Sequence, residues 1–169
     1  MNITEIKEQF RNYTYDNCFR LFEREYSTIA RIVDIYDGDT CTVVIKLNNE
    51  YNKFIVRLNG IDTCEIKAKS ADNKKKAYLA RDRLLNLVTN VETSNNSMPR
   101  KSVRDILNRE VYLINLCVSG TDKYGRLLAD LYGLEDELKT RSFSSILLSE
   151  KLAYSYDGGT KKTEEDQLD

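Results

Sequence analysis

Apolar side chains near the start of the chain recur mostly three and four residues apart: Ile3, Ile6, Phe10 and Tyr13, then Phe19, Phe22, Tyr26 and Ile29. That spacing puts them on one face of a helix, so residues 1–29 are predicted to be helical. Asn2, with Glu5 three positions on, can cap the start. The stripe predicts a helical arm that either packs on the rest of the chain or offers itself to a protein partner.

From residue 30 the texture is that of strands. Ile32 to Tyr36 is a short run ended by the turn dipeptide Asp37-Gly38. Thr40 to Leu47 is rich in Thr and Val, Asn48-Asn49-Glu50 breaks it, and Tyr51 to Leu58 resumes as the second half of a hairpin. Ala71 to Val88 is predicted helical, with Ala77, Ala80, Leu84, Leu87 and Val88 on one face. Strands follow over Glu110 to Val118 and Leu127 to Tyr132, then a helix over Ser142 to Leu152 carrying Phe143, Ile146 and Leu147. Three strands, a helix, two strands and a helix predict an α+β, mainly β, fold: a five-stranded Greek-key barrel of the OB type with packed helices and an added N-terminal helical arm. Residues 89–108 are polar, hold Pro99, and end in Arg100, Lys101 and Arg104. They are expected to form an inserted, mobile loop running into a short helical turn. Its basic residues are either solvated or a second nucleic-acid contact. The acidic segment 162–169 is expected to fray.

Composition narrows the function classes. At 169 residues with 41% apolar and 31% charged side chains, the chain fits one domain with appendages. Its apolar runs are short beside the roughly 20 residues that cross a bilayer. Glu5, Lys7 and Glu8 stand where a secretory leader needs apolar residues. No membrane span and no signal peptide are expected, hence an intracellular protein. There is no histidine, which removes every hydrolase design built on imidazole. Cys18, Cys41, Cys64 and Cys117 are scattered without a C-x-x-C pair and are read as reduced thiols. The net charge is −1, so any nucleic-acid function must rest on placed charges rather than a basic field.

Three segments carry candidate chemistry. Asp37-Gly38-Asp39-Thr40 sits at a strand–turn–strand junction, and alone it is an ordinary turn. Arg57-Leu58-Asn59-Gly60-Ile61-Asp62-Thr63-Cys64-Glu65 puts a cation and two carboxylates at the end of a strand. Thr121-Asp122-Lys123-Tyr124-Gly125-Arg126 is a turn that delivers a second arginine with a lysine and a tyrosine beside it. Together they hold two carboxylates for a hard cation, a third to act on water, and two arginines for a phosphate. Hydrolysis of a phosphodiester without histidine requires such a set.

In this order the segments resemble the staphylococcal nuclease-like (thermonuclease) family, over about residues 30–161. The resemblance implies an OB-fold nuclease that cleaves DNA or RNA with Ca²⁺. It implies that Asp39 and Asp62 ligate the cation with their carboxylates and Thr63 with its backbone carbonyl. It implies that Arg57 and Arg126 bind the phosphate, that Glu65 is the general base, and that Lys123 and Tyr124 line the nucleotide pocket. An aromatic after the last matched helix is expected there too. Tyr154 and Tyr156 both fit, and Tyr154 is preferred. Cys64 stands where the family has proline, the family's third helix is missing, and the 89–108 segment has no counterpart in the short members. The competing expectation is a catalytically silent barrel that binds nucleic acid or a protein tail, or a scaffold acting through the arm.

Overall fold

The computed structural model describes residues 2–93 and 97–169. Part of the polar 89–108 segment, residues 94–96, lies outside the described residues.

Helix α1, Ile3–Phe10, begins with the capping box anticipated from Asn2 and Glu5, each side chain accepting from the other residue's end of the turn. It stops well short of residue 29. Asn17 Oδ1 accepts from the Thr14 N–H at 2.8 Å while its Nδ2 donates to the Asn12 carbonyl at 2.7 Å. Such side-chain bonds offer the backbone an alternative to the helical ladder. Phe22 is buried, its ring edge-on to Tyr26 and Phe54 with centroids 5.4 Å away in both cases. It anchors the arm to the barrel. Tyr26 and Ile29 belong to a strand, not a helix.

That strand, β1 (Tyr26–Asp37), pairs antiparallel with β2 (Thr40–Leu47), and β2 pairs with β3 (Glu50–Leu58). The short β4 (Ile61–Asp62) follows, then helix α2 (Ala71–Thr89). After helix α3 (Arg100–Arg109), β5 (Leu113–Thr121) pairs with β1 and with β6 (Leu127–Tyr132). Parallel pairing of β3 with β6 closes the barrel in the order β1-β2-β3-β6-β5. This is the OB-like, mainly β architecture read from the element order. Alternation along the strands sends Ile32, Val43, Ile45, Val56, Leu116 and Leu131 inward, all essentially inaccessible. Helix α4 (Phe143–Ser149) leads to β7 (Tyr154–Ser155), which pairs with β4. Among the described residues no helix is long and apolar enough to cross a membrane.

Two further segments differ from the sequence expectation. Residues 100–109 are not a mobile loop with one helical turn but the regular helix α3, laid on β1 with Val103 and Leu107 fully buried. Two of its basic residues are not simply solvated, because Arg100 and Arg104 both bind Asp34. The tail does not fray. Glu164 accepts from the N–H groups of Lys69 and Ser70 at 3.0 and 3.1 Å, just before α2, and Asn73 Nδ2 donates to the Glu164 carbonyl at 2.7 Å. A 3₁₀ turn, Asp166–Leu168, buries Gln167. A carboxylate at the start of a long helix is favoured by the open N–H groups there.

Burial of Leu107 makes α3 part of the core. Leu107→Ala should therefore cost about 2–5 kcal/mol of stability, read as a lower urea midpoint. A loss within about 0.5 kcal/mol, as for a surface position, would show that α3 merely rests on the barrel.

Candidate active site

The β1–β2 turn is built around a close approach. A Cβ on Gly38 would lie 2.6 Å from the Ala80 Cβ and 2.9 Å from Thr63 Cγ2, so only glycine lets the turn press against α2. The turn presents Asp39 at the head of β2, and the β2–β3 register sets Arg57 directly opposite Thr40. The Leu58 N–H donates to the Asp39 carbonyl at 2.8 Å, tying the two segments together. Beyond β3, Gly60 takes φ +73°, and the chain doubles back so that Asp62 meets Arg57 from the other side.

Arg57 is the centre of the arrangement. Its Nη1 lies 2.7 Å from Asp39 Oδ1 and its Nη2 lies 2.8 Å from Asp62 Oδ1, all three side chains being buried. Asp39 Oδ1 also accepts from Thr40 Oγ1 at 2.8 Å, and its Oδ2 accepts from the Thr63 N–H at 3.0 Å and Thr63 Oγ1 at 3.3 Å. Burial works against the Asp39 charge, but Arg57 outweighs it and holds the carboxyl below its usual range. Asp37 behaves in the opposite way: burial, then the neighbouring Asp39 charge, raises its carboxyl well above the usual range. Burial also opposes the Arg57 charge, and the two aspartates more than restore it.

Asp62 has two further partners. The Tyr154 hydroxyl donates to its Oδ2, since β4–β7 pairing sets Tyr154 opposite Asp62. Burial and then the Asp62 carboxylate raise the Tyr154 hydroxyl well above its usual range. Lys161 Nζ stands 3.1 Å from Asp62 Oδ1 and 3.6 Å from Glu65 Oε1. Glu65 is 61% exposed at its side chain, on a turn closed by the Ala68 N–H donating to the Glu65 carbonyl at 2.9 Å. Cys64 is buried and accepts from Asn73 Nδ2 at 3.6 Å, a side-chain contact that ties the turn to α2.

The third segment is organised by Asp122. Its Oδ1 accepts from the N–H groups of Tyr124 and Arg126 at 2.8 and 3.0 Å, and its Oδ2 receives Arg126 Nε at 2.6 Å. Gly125 takes φ +82° to close this turn. Lys123 and Arg126 both stand over the exposed Tyr124 ring, 5.1 and 5.7 Å from its centroid.

All three segments meet in one cleft of about 440 Å³. Asp39, Arg57, Asp62, Glu65, Lys123, Tyr124 and Arg126 line it, joined by Asp37, Tyr36, Lys67, Tyr156 and Lys161. Thr63 sits against Asp39 as described. Of the two aromatic candidates, Tyr156 lines the cleft, beside Arg57 at 5.6 Å, while Tyr154 supports Asp62. Sequence reasoning gave Lys161 no role, and nothing in the spacing marks it. Its position follows from the tail's packing.

The carboxylates offer oxygen donors only, the chemistry a hard cation takes. Lys161 already brings positive charge between Asp62 and Glu65. Among the described residues no three acidic or cysteine side chains surround one point. A cation held here would therefore complete its shell with backbone and water oxygens. No protein-family model matches the chain, and no curated protein matches it.

Thiol reactivity reports on the turn that holds Glu65. Burial pushes the Cys41 thiol up to about 12 and raises Cys64 as well, whereas Cys18 is exposed. A chromogenic disulfide reagent at neutral pH should label Cys18 at once, and Cys41 and Cys64 only on unfolding. Rapid labelling of Cys64 would mean that the 61–65 turn opens in the folded protein.

Proposed function

We propose that the chain is a staphylococcal nuclease-like, Ca²⁺-dependent endonuclease that hydrolyses phosphodiester bonds of DNA or RNA. The observation that carries this reading is the convergence on one cleft of a buried Asp39–Arg57–Asp62 cluster, an exposed Glu65 and a second, oriented arginine, Arg126. Asp39, Asp62 and the Thr63 carbonyl are the groups that would hold the cation. When bound, the cation supplies charge to a phosphoryl oxygen.

The chain's own residues supply the rest. Arg57 and Arg126 are planar donors for the phosphate oxygens, and their charge meets the extra negative charge of the five-coordinate transition state. Asp122 fixes Arg126 before substrate arrives, which removes an orientation cost. Glu65 takes the proton from the attacking water as its oxygen bonds to phosphorus and the ester oxygen departs. For that, Lys161 must give up its contact with Glu65. Lys123, Tyr124 and Tyr156 flank the position of the nucleotide. A second role is favoured by the arm, where Ile3, Phe10, Tyr13 and Tyr15 are exposed and available to a protein partner.

Incubation with plasmid and single-stranded nucleic acid should show cleavage in Ca²⁺ and none in excess chelator. Glu65→Gln should lower the rate by about 10²–10⁴ while Ca²⁺ and nucleotide still bind. A parental rate in that variant would remove Glu65 as the base. Arg126→Lys keeps the charge but loses the two-pronged contact. It should cost on the order of 10²–10³ in rate, and a rate within about threefold of the parent would refute the phosphate role.

A further inference from the structure

Arg100 and Arg104 of α3 are positioned by a carboxylate that the cleft does not use. Asp34 of β1 pairs with Thr42 of β2, and Thr42 with Ile55 of β3, so the three stand side by side on the outer face of the barrel. Asp34 is 4% exposed because α3 covers it. Its Oδ2 accepts from Arg100 Nε at 2.9 Å and from Arg104 Nη2 at 3.0 Å. Burial works against that charge, but the two arginines outweigh it and hold the carboxyl below its usual range. One carboxylate thus fixes two guanidiniums and leaves one positive charge over. Both arginine side chains are about half exposed, at 44% and 53%. A guanidinium carries five N–H donors, so each keeps donors beyond those that Asp34 takes.

The pair joins two concave surfaces. The Arg100 guanidinium lies 4.9 Å from the centre of the Tyr36 ring, and Tyr36 lines the cleft. Arg104 and Asp34 line a separate groove of about 480 Å³ together with Lys53, Phe54, Ile55 and Asn108. The groove therefore has cations along it and an apolar floor, with Ile55 52% exposed.

We propose that this groove and the Arg100–Arg104 pair form a second binding site for single-stranded nucleic acid, which holds the strand where it leaves the cleft. The inference rests on the nuclease reading for the strand's course. The guanidiniums and Lys53 take phosphate oxygens, and the apolar floor takes base faces, which only an unpaired strand presents. Because Asp34 already holds both arginines in place, less side-chain freedom is lost on binding. DNA and RNA share this chemistry, so both belong in the test.

The test is fluorescence anisotropy on the full chain in chelator, with DNA and RNA strands of about 12 nucleotides, within the span of one OB-type barrel. Arg100→Gln/Arg104→Gln should weaken binding at least about tenfold and lower the slope of log affinity against log salt by about 1.4, two phosphates at 0.7 each. That variant strands the Asp34 charge. Lys53→Gln, an exposed position, keeps the fold and should lower the slope by about 0.7. An unchanged affinity and slope in Lys53→Gln would overturn the proposal. So would a duplex that binds as tightly as the single strand. Cleavage of a trinucleotide in Ca²⁺ reads the nuclease proposal separately. Its absence, with arginine-dependent strand binding intact, would overturn the nuclease reading and leave the groove.

Discussion

A guanidinium buried between two carboxylates organises this molecule. Arg57 reaches Asp39 on one side and Asp62 on the other, Asp39 in the β1–β2 turn and Asp62 in β4. The head of β2, the end of β3 and β4 are thereby fixed to one another at the end of the barrel. The ion cluster is buried, so removing Arg57 leaves two carboxylates without their shared partner, a loss of several kcal/mol rather than the small effect of a surface pair. The barrel makes such burial feasible. Register opposes Arg57 to Thr40, parallel pairing of β3 with β6 brings in the strand that follows the Asp122 turn, and β7 delivers Tyr154 to Asp62. Glu65 and Arg126 then project from a frame whose inner layer cannot shift without breaking these contacts.

A second ion cluster works differently. Asp34 is shared by two arginines that remain half exposed, so it orders surface cations instead of locking turns. Helix α3 couples the two tasks. Val103 and Leu107 bind it to the barrel, while Arg100 and Arg104 stand one helical turn apart on the side that reaches Asp34. The apolar and charged positions of this helix are interleaved, so its attachment to the core and its display of charge come from the same ten residues.

Where local rules and tertiary packing agree, the sequence was legible. The Thr- and Val-rich run ending at Leu47, the Asn48-Asn49 break with both residues at positive φ, and the following strand read directly as a hairpin. So did the apolar face of α2 with its buried Ala77, Ala80 and Leu84. The D-G-D-T, Arg57–Glu65 and Asp122–Arg126 segments stood out because turn residues and charges coincide in them, and the fold brings all three to one cleft. Residues 19–29 misled because Phe19, Phe22, Tyr26 and Ile29 fit a helical spacing, while Tyr26 to Arg31 pair with β5, a partner more than eighty residues away that no local window contains. Helix α3 was obscured by the polar residues before it, and its two buried apolar side chains are few for a helix signal. The tail gave no signal at all, since it is held by Glu164 and Gln167, polar residues whose partners lie on α2 and at Tyr154.

The tail's position ties its docking to the occupancy of the cleft. Lys161 rests on Asp62 and Glu65, Gln167 donates to the Tyr154 hydroxyl at 3.1 Å, and Glu164 holds the head of α2. A ligand that claims Asp62 or Glu65 competes with Lys161 for the same oxygens. By reciprocity, whatever stabilises the docked tail weakens that ligand, and the ligand loosens the tail by the same free energy. Against such a ligand residues 161–168 are a tethered competitor. Its local concentration is set by the chain and does not dilute, so the packing of Glu164 and Gln167, which lie outside the cleft lining, bears on the affinity of such a ligand.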